Sequence, residues 1–322
     1  MSISISRREL LTLAAAAAGG TLFARSSSVA AWTQAQPPAA PPSDPVAALR
    51  AQMGSVPIAV TPLVPGIAML SGPGGNVVVQ AGADGKFVVD SFMQPAWPKL
   101  KTTIDAMGPG PIALLIDTHW HLDHTDNNAN FHKAGADVLA HDNTRKRLNE
   151  PHDLMGMHLE PVPPSARPTE TFRASKTVQA NGDSLELAYF PPAHTDTDIY
   201  VHFTKANVLH MGDVYFNGVY PFIDAGTSGN INGMIDGAAQ GLKLANDQTK
   251  IVPGHGPVGD KAALQRAHDM LVTVRDRVKV LKDGKKTLAD AVAAKPTADL
   301  DAQWGKGFIQ PDAFVTLVYN TL

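Results

Sequence analysis

Ile112-Ala113-Leu114-Leu115-Ile116-Asp117-Thr118-His119-Trp120-His121-Leu122-Asp123-His124 is the stretch on which the reading of this chain turns. Its first five residues are continuously apolar, the mark of a strand covered on both faces, so its sheet needs a layer on either side. The strand runs straight into four ligand-type side chains within six residues. Extended chain alternates its side chains, which keeps His119 and His121 on one side. A turn after them brings Asp123 and His124 round to an adjacent position. Imidazole nitrogens and carboxylate oxygens together suit zinc or another divalent first-row metal.

Three later segments repeat this arrangement of a strand end followed by a donor. Pro191-Pro192-Ala193-His194-Thr195 follows an expected strand at 184–190, His210-Met211-Gly212-Asp213 closes one at 208–211, and Val252-Pro253-Gly254-His255-Gly256 closes one at 250–252. Loops at strand ends are where sheet proteins build sites. The chain has 12 histidines and no cysteine, so any metal must be held by His, Asp or Glu, and neither disulfides nor a thiolate nucleophile are available. A net charge of −3 without a basic block excludes the usual footprint of a nucleic-acid binder and leaves a small molecule as the expected partner.

Around these segments the pattern alternates strands and helices. Short apolar runs at 67–71, 76–81 and 86–90, separated by Gly-rich turns, read as a β-meander, and a helix is expected at 95–107. Further helices are expected at 127–133, 143–148, 230–246, 262–281, 288–294 and 311–322, with strands at 138–140 and 199–203. Residues 151–168 carry several Pro and Met without a clear period and read as a loop near the substrate. The mixture points to an α/β layered domain. His132, His141, His152, His158, His202, His210 and His268 read as structural, and Trp120 and Leu122 as packing beneath the cluster. Asp117 and Thr195 are expected to orient ligand imidazoles, and Tyr215 and Asn217 to reach the substrate.

His-x-His-x-Asp-His at 119–124, then His194, Gly212-Asp213 and Gly254-His255-Gly256, in that order, resembles the signature of the metallo-β-lactamase superfamily. The resemblance implies a four-layered αβ/βα sandwich with two zinc ions at the lip between its halves. It implies that His119, His121 and His194 hold the first metal, that Asp123, His124 and His255 hold the second, and that Asp213 bridges them. Two such cations bring the pKa of a shared water towards neutrality and supply hydroxide for attack on a carbonyl carbon or phosphorus. Asp123 is placed to orient that nucleophile or accept its proton.

The superfamily leaves the substrate open. Its largest lactamase group carries cysteine where this chain has Asp213, and a lysine a few residues on; here Val214-Tyr215-Phe216-Asn217-Gly218 follow. The expected activity is metal-dependent hydrolysis with weak β-lactamase action, the alternative an ester, thioester or lactone hydrolase without it. An iron-dependent oxidoreductase of the persulfide dioxygenase kind is the reading from another class, in which His124 and His255 are spare.

Residues 1–31 read as an export signal: Ser6-Arg7-Arg8 precedes an apolar run at 12–23 and small residues at 28–31, similar to a twin-arginine signal peptide. The apolar run is well short of the roughly 20 residues that span a bilayer, so no lasting membrane association is expected. A Pro/Ala-rich linker is expected at 32–59 and the hydrolase domain at 60–322. Sequencing the mature N-terminus checks the export reading: the chain is expected to begin after residue 30 to 35 in a periplasmic fraction, and an intact Met1 there contradicts it.

Overall fold

A computed structural model describes residues 44–322, so the expected signal peptide and the first part of the expected linker lie outside the described residues. Within that linker the chain is already folded. Helix α1 (Pro45–Ser55) starts with Pro at its first position, and the Asp44 carboxylate accepts from Val46 N, a start that proline's fixed φ and an N-cap acid both favour. Arg50 pairs with Asp126 and ties the helix to the body. The linker expectation therefore gives way at residue 44, because Pro and Ala suit a helix start as well as a spacer.

The meander follows as β1 (Ala59–Val64), β2 (Ile67–Gly72), β3 (Gly74–Gly82) and β4 (Gly85–Val89), each antiparallel to the next. Helix α2 (Trp97–Ala106) crosses to β5 (Ile112–Ile116), parallel to β4. Short helices α3 (Leu122–Thr125) and α4 (Asn128–Lys133) lead to β6 (Asp137–His141), α5 (Asp142–Leu148) and, after a β7 (His152–Leu154)–β8 (Met157–Leu159) hairpin, to β9 (Glu170–Phe172). The hairpin and β9 occupy or adjoin the stretch expected as loop. These strands form a seven-stranded sheet in the order β1-β2-β3-β4-β5-β6-β9.

The second sheet has five strands, β10 (Ser175–Ala180), β11 (Asp183–Tyr189), β12 (Ile199–Phe203), β13 (Val208–His210) and β14 (Lys250–Val252), in that order. Helix α6 (Ile231–Leu244) makes the crossover between the parallel strands β13 and β14, and α7 (Lys261–Asp283), α8 (Leu288–Ala293), α9 (Asp301–Trp304) and α10 (Pro311–Thr321) follow. Strand β10 was not expected: it is an edge strand whose residues are largely exposed, so it carries no apolar alternation.

Side-chain alternation sorts the core into three slabs. Ile67, Val78, Val89 and Ile116 meet Leu185, Leu187, Val201 and Val208 between the sheets. Val77, Val79, Val88 and Leu115, in the opposite phase, pack on Leu100 and Ile104 of α2 and Phe131 of α4. On the far side Leu209 and Ile251 pack on Met234 of α6, Leu264 and Val274 of α7 and Phe314 of α10. The result is the four-layered αβ/βα sandwich, and the unbroken apolar run of β5 follows from a sheet buried on both faces. Among the described residues no helix is long and apolar enough to cross a membrane. Leu115 is fully buried against the α2 layer; Leu115→Ala is expected to lower unfolding free energy by about 2–5 kcal/mol in urea titration, and a loss below about 1 kcal/mol contradicts this packing.

Candidate metal centre

Strands β11 and β13 are each antiparallel to β12, and β14 is parallel to β13, so β11, β13 and β14 run in one sense. Their carboxyl ends, with that of β5 from the first sheet, deliver the donors to one lip. His119 lies between β5 and α3, His121 caps α3, and Asp123 and His124 ride on it. His194 sits in the turn after β11, Asp213 in a 3-10 turn after β13 and His255 in the turn after β14. All seven expected residues meet, as two adjacent sets able to hold metal ions: His119, His121, His194 and Asp213, and Asp123, His124 and His255.

Asp213 lies between the sets. Its Oδ2 is 3.5 Å from His194 Nε2 and 3.4 Å from His255 Nε2, and its Oδ1 is 3.2 Å from His124 Nε2. Asp123 Oδ2 is 3.2 Å from His255 Nε2 and 3.6 Å from His124 Nε2. His194 Nε2 and His121 Nδ1 approach to 2.8 Å.

The partners on the far side of each ring decide which nitrogen faces inward. His194 Nδ1 donates to the Phe222 carbonyl oxygen at 2.9 Å and His121 Nε2 to Asp224 Oδ2 at 3.2 Å. His124 Nδ1 donates to Asp90 Oδ2 at 2.7 Å. Thr118 Oγ1 donates to the same Asp90 oxygen, which leaves it to accept from His119 Nδ1 at 3.1 Å. Four imidazoles thus aim a nitrogen at one another or at Asp213, and the lone pairs of His194 Nε2 and His121 Nδ1 at 2.8 Å repel unless a positive charge lies between them. The buried His119 Nε2, His124 Nε2 and Asp213 Oδ1 have no hydrogen-bond partner, a costly state for a closed polar cluster. This donor set fits divalent cations.

Burial holds His119 well below the usual imidazole value and His194 at about 4, which keeps both neutral and ready to ligate. Burial also pushes the Asp123 and Asp213 carboxyls up, but the neighbouring His124 and His255 outweigh it and hold both below the ordinary range. His255 moves the other way: burial lowers it, and Asp213 and Asp123 raise it to about 10.

Two glycines make the room. A Cβ on Gly75 would lie 2.0 Å from His124 Cε1, and one on Gly254 would lie 1.8 Å from Asp213 Oδ1. Buried Asn76 closes the seam between the sheets: its N donates to the Gly254 carbonyl at 2.6 Å and its Nδ2 to the carbonyls of Pro253 and Gly256 at 2.9 and 2.8 Å. His210 is structural as expected, donating from Nε2 to the Asn76 carbonyl at 3.2 Å.

Other expectations need correcting. Asp117 bonds Asn128, and Thr195 bonds Asp198 and Thr197, so neither touches a ligand ring; the ring partners are Asp90, Thr118, Asp224 and the Phe222 carbonyl. Tyr215, expected at the substrate, is 1% exposed in the helix-side core, because the turn at 212–214 throws it to the opposite side from Asp213. Asn217 uses its amide on the Pro257 carbonyl at 2.8 Å and steadies the His255 turn instead. The loop at 215–223 was expected to shape the pocket, but no motif singled out its Phe216 and Phe222, whose rings flank His194 at centroid distances of 6.0 and 5.8 Å.

Residues 71–255 match the family model described as the metallo-beta-lactamase superfamily. A curated relative, the alpha subunit of 2,4-dinitroanisole O-demethylase from Nocardioides sp. (strain JS1661), is 28% identical over 142 residues, 42% of this chain and 40% of that protein. The chain therefore matches well under two thirds of that relative's length. Among solved structures, a metallo-beta-lactamase from Pontibacter korlensis superposes with a TM-score of 0.55 at 17% identity, covering 67% of this chain and 99% of that one. The DIM-1 metallo-beta-lactamase gives 0.55 at 21% identity, covering 68% and 99%. The sec-alkylsulfatase Pisa1 from Pseudomonas sp. gives 0.62 at 15% identity, covering 82% and 50%. At these identities the structures share the fold, and the family match spans more than half of the chain, including every residue of the lip. The chain belongs to the metallo-beta-lactamase superfamily.

Proposed function

We propose that this chain is an exported, zinc-dependent hydrolase of small molecules, with His119, His121 and His194 holding one cation, Asp123, His124 and His255 a second, and Asp213 shared. The observation that carries this is the set of inward-facing imidazole nitrogens that meet only one another and the carboxylates of Asp123 and Asp213, with those of His119 and His124 left without a hydrogen-bond partner. Divalent cations held there supply Lewis acidity and a water that ionises near neutral pH. The protein's own part is to keep Asp123 and Asp213 ionised, to keep the imidazole tautomers fixed through Asp90, Thr118 and Asp224, and to leave one side open. Asp123 and His255 mark that side, with side chains 26% and 32% exposed while the other ligands are at most 5% exposed. Substrate enters there, and the Asp123 carboxylate takes the proton released by the attacking water.

The bond we assign is a carboxylic ester, thioester or lactone, with β-lactam ring opening as a weak side activity. No lysine follows Asp213 in Val214-Tyr215-Phe216-Asn217-Gly218 to grip a drug's carboxylate. The relatives' names span neighbouring chemistries: two metallo-beta-lactamases, a sec-alkylsulfatase and a subunit acting on 2,4-dinitroanisole. The export reading puts the reaction in the periplasm. The convergence of Asp123, His124 and His255 into a second donor set favours the two-cation hydrolase over a one-iron oxidoreductase.

Screening zinc-loaded protein against β-lactam, lactone, thioester and phosphodiester panels identifies the bond. On the substrate so found, Asp123→Asn is expected to cut turnover by about 10²–10⁴-fold with circular dichroism unchanged; near-normal turnover refutes the role of Asp123. Gly75→Ala is expected to displace the His124 ring and weaken zinc affinity about 10–100-fold in competition with a chromophoric chelator. Unchanged affinity in that variant removes His124 from the ligand set.

A further inference from the structure

The chain between Asp213 and Asp224 holds two phenylalanines whose placement the metal-ligand set does not explain. Phe216 forms a parallel β-bridge with His255 and stacks its ring on that imidazole at 5.1 Å and 17°. Phe222 lies 5.9 Å from the His121 ring and 5.8 Å from that of His194. Both rings are only partly buried, so apolar surface stays open beside the cluster. Phe222 supplies its carbonyl to His194, which backbone alone provides; its ring is free for another use.

This loop is fixed from behind by residues beyond the stretch that the family model matches. Tyr220 is 1% exposed, stacks on Phe314 of α10 at 4.5 Å and 16°, and donates its hydroxyl to Asp301 at 2.9 Å. Its backbone N donates to the Trp304 carbonyl at 2.9 Å, and Gly307 packs so close to Val219 that a Cβ there would lie 2.7 Å from the valine Cβ. A loop anchored this way presents its two rings without paying further ordering entropy on binding.

We infer that Phe216 and Phe222 form a preset apolar wall that takes the aryl group of a substrate beside the metal-ligand cluster. The inference rests on the hydrolase reading for the bond that is cut, and on the rings alone for what is bound. Ring edges and faces at this spacing accept another ring in offset or edge-on contact.

Isothermal titration of zinc-loaded protein with phenylacetate and with acetate isolates the contribution of the ring. Phenylacetate is expected to bind at least about tenfold tighter than acetate. The preference should collapse in F216A/F222A and largely survive in F216L/F222L, which keeps apolar volume and reports on folding. Equal affinity for the two acids, or a preference unchanged in F216A/F222A, overturns the wall. Protein that prefers phenylacetate but hydrolyses neither phenyl acetate nor methyl acetate keeps the wall and removes ester hydrolysis.

Discussion

Asn76 is the point at which the two halves of the molecule become one site. Each sheet alone carries an incomplete donor set: α3, which follows β5 of the first sheet, brings Asp123 and His124, while His194, Asp213 and His255 come from the second. Bringing them within bonding reach requires the loop at 253–256 to sit against the start of β3, and Asn76 does this with one backbone and two side-chain hydrogen bonds. Those bonds lie in a closed environment where a lost partner leaves buried carbonyls unsatisfied. The adjacent Gly75 and Gly254 then admit His124 and Asp213 where any Cβ would exclude them.

The same closure sets the electrostatic problem of the lip. Five imidazoles and four carboxylates, those of Asp90, Asp123, Asp213 and Asp224, are gathered where water is largely excluded, a setting that penalises unpaired charge. Hydrogen bonds on the outer faces of the His119, His121, His124 and His194 rings orient them, so their inner faces carry nitrogens that only a proton or a cation can satisfy. Such an arrangement is expensive for folding and useful for binding metal, a common trade at functional sites. Asp224 shows the design at its clearest: its carboxyl, held at about 2 because the His121 bond outweighs burial, stays ionised to orient that ring.

The convergence of the seven donors was readable because each follows an apolar strand, and strand ends are where a layered fold opens to solvent. What orients the donors was not readable. Asp90 reaches His124 across 34 residues from a left-handed backbone position with φ of 66°, and Asp224 reaches His121 across 103. Neither pairing leaves a local pattern. Tyr215 was misread because the alternation that serves along a strand does not continue through the turn after Asp213. Helix α1 was misread because its Pro and Ala content suggested a spacer, although Asp44-Pro45 is equally a helix start. The layers themselves were legible from unbroken apolar runs, whereas the exposed edge strand β10 was not.

The count of metal ions per folded chain tests the central claim most directly, since it asks whether the lone pairs at the lip exist to hold two cations. Elemental analysis of protein purified without chelator is predicted to give about two zinc per chain, falling towards one when the second set is broken by His255→Ala. A single iron per chain, or a zinc content unmoved by that substitution, would contradict the account.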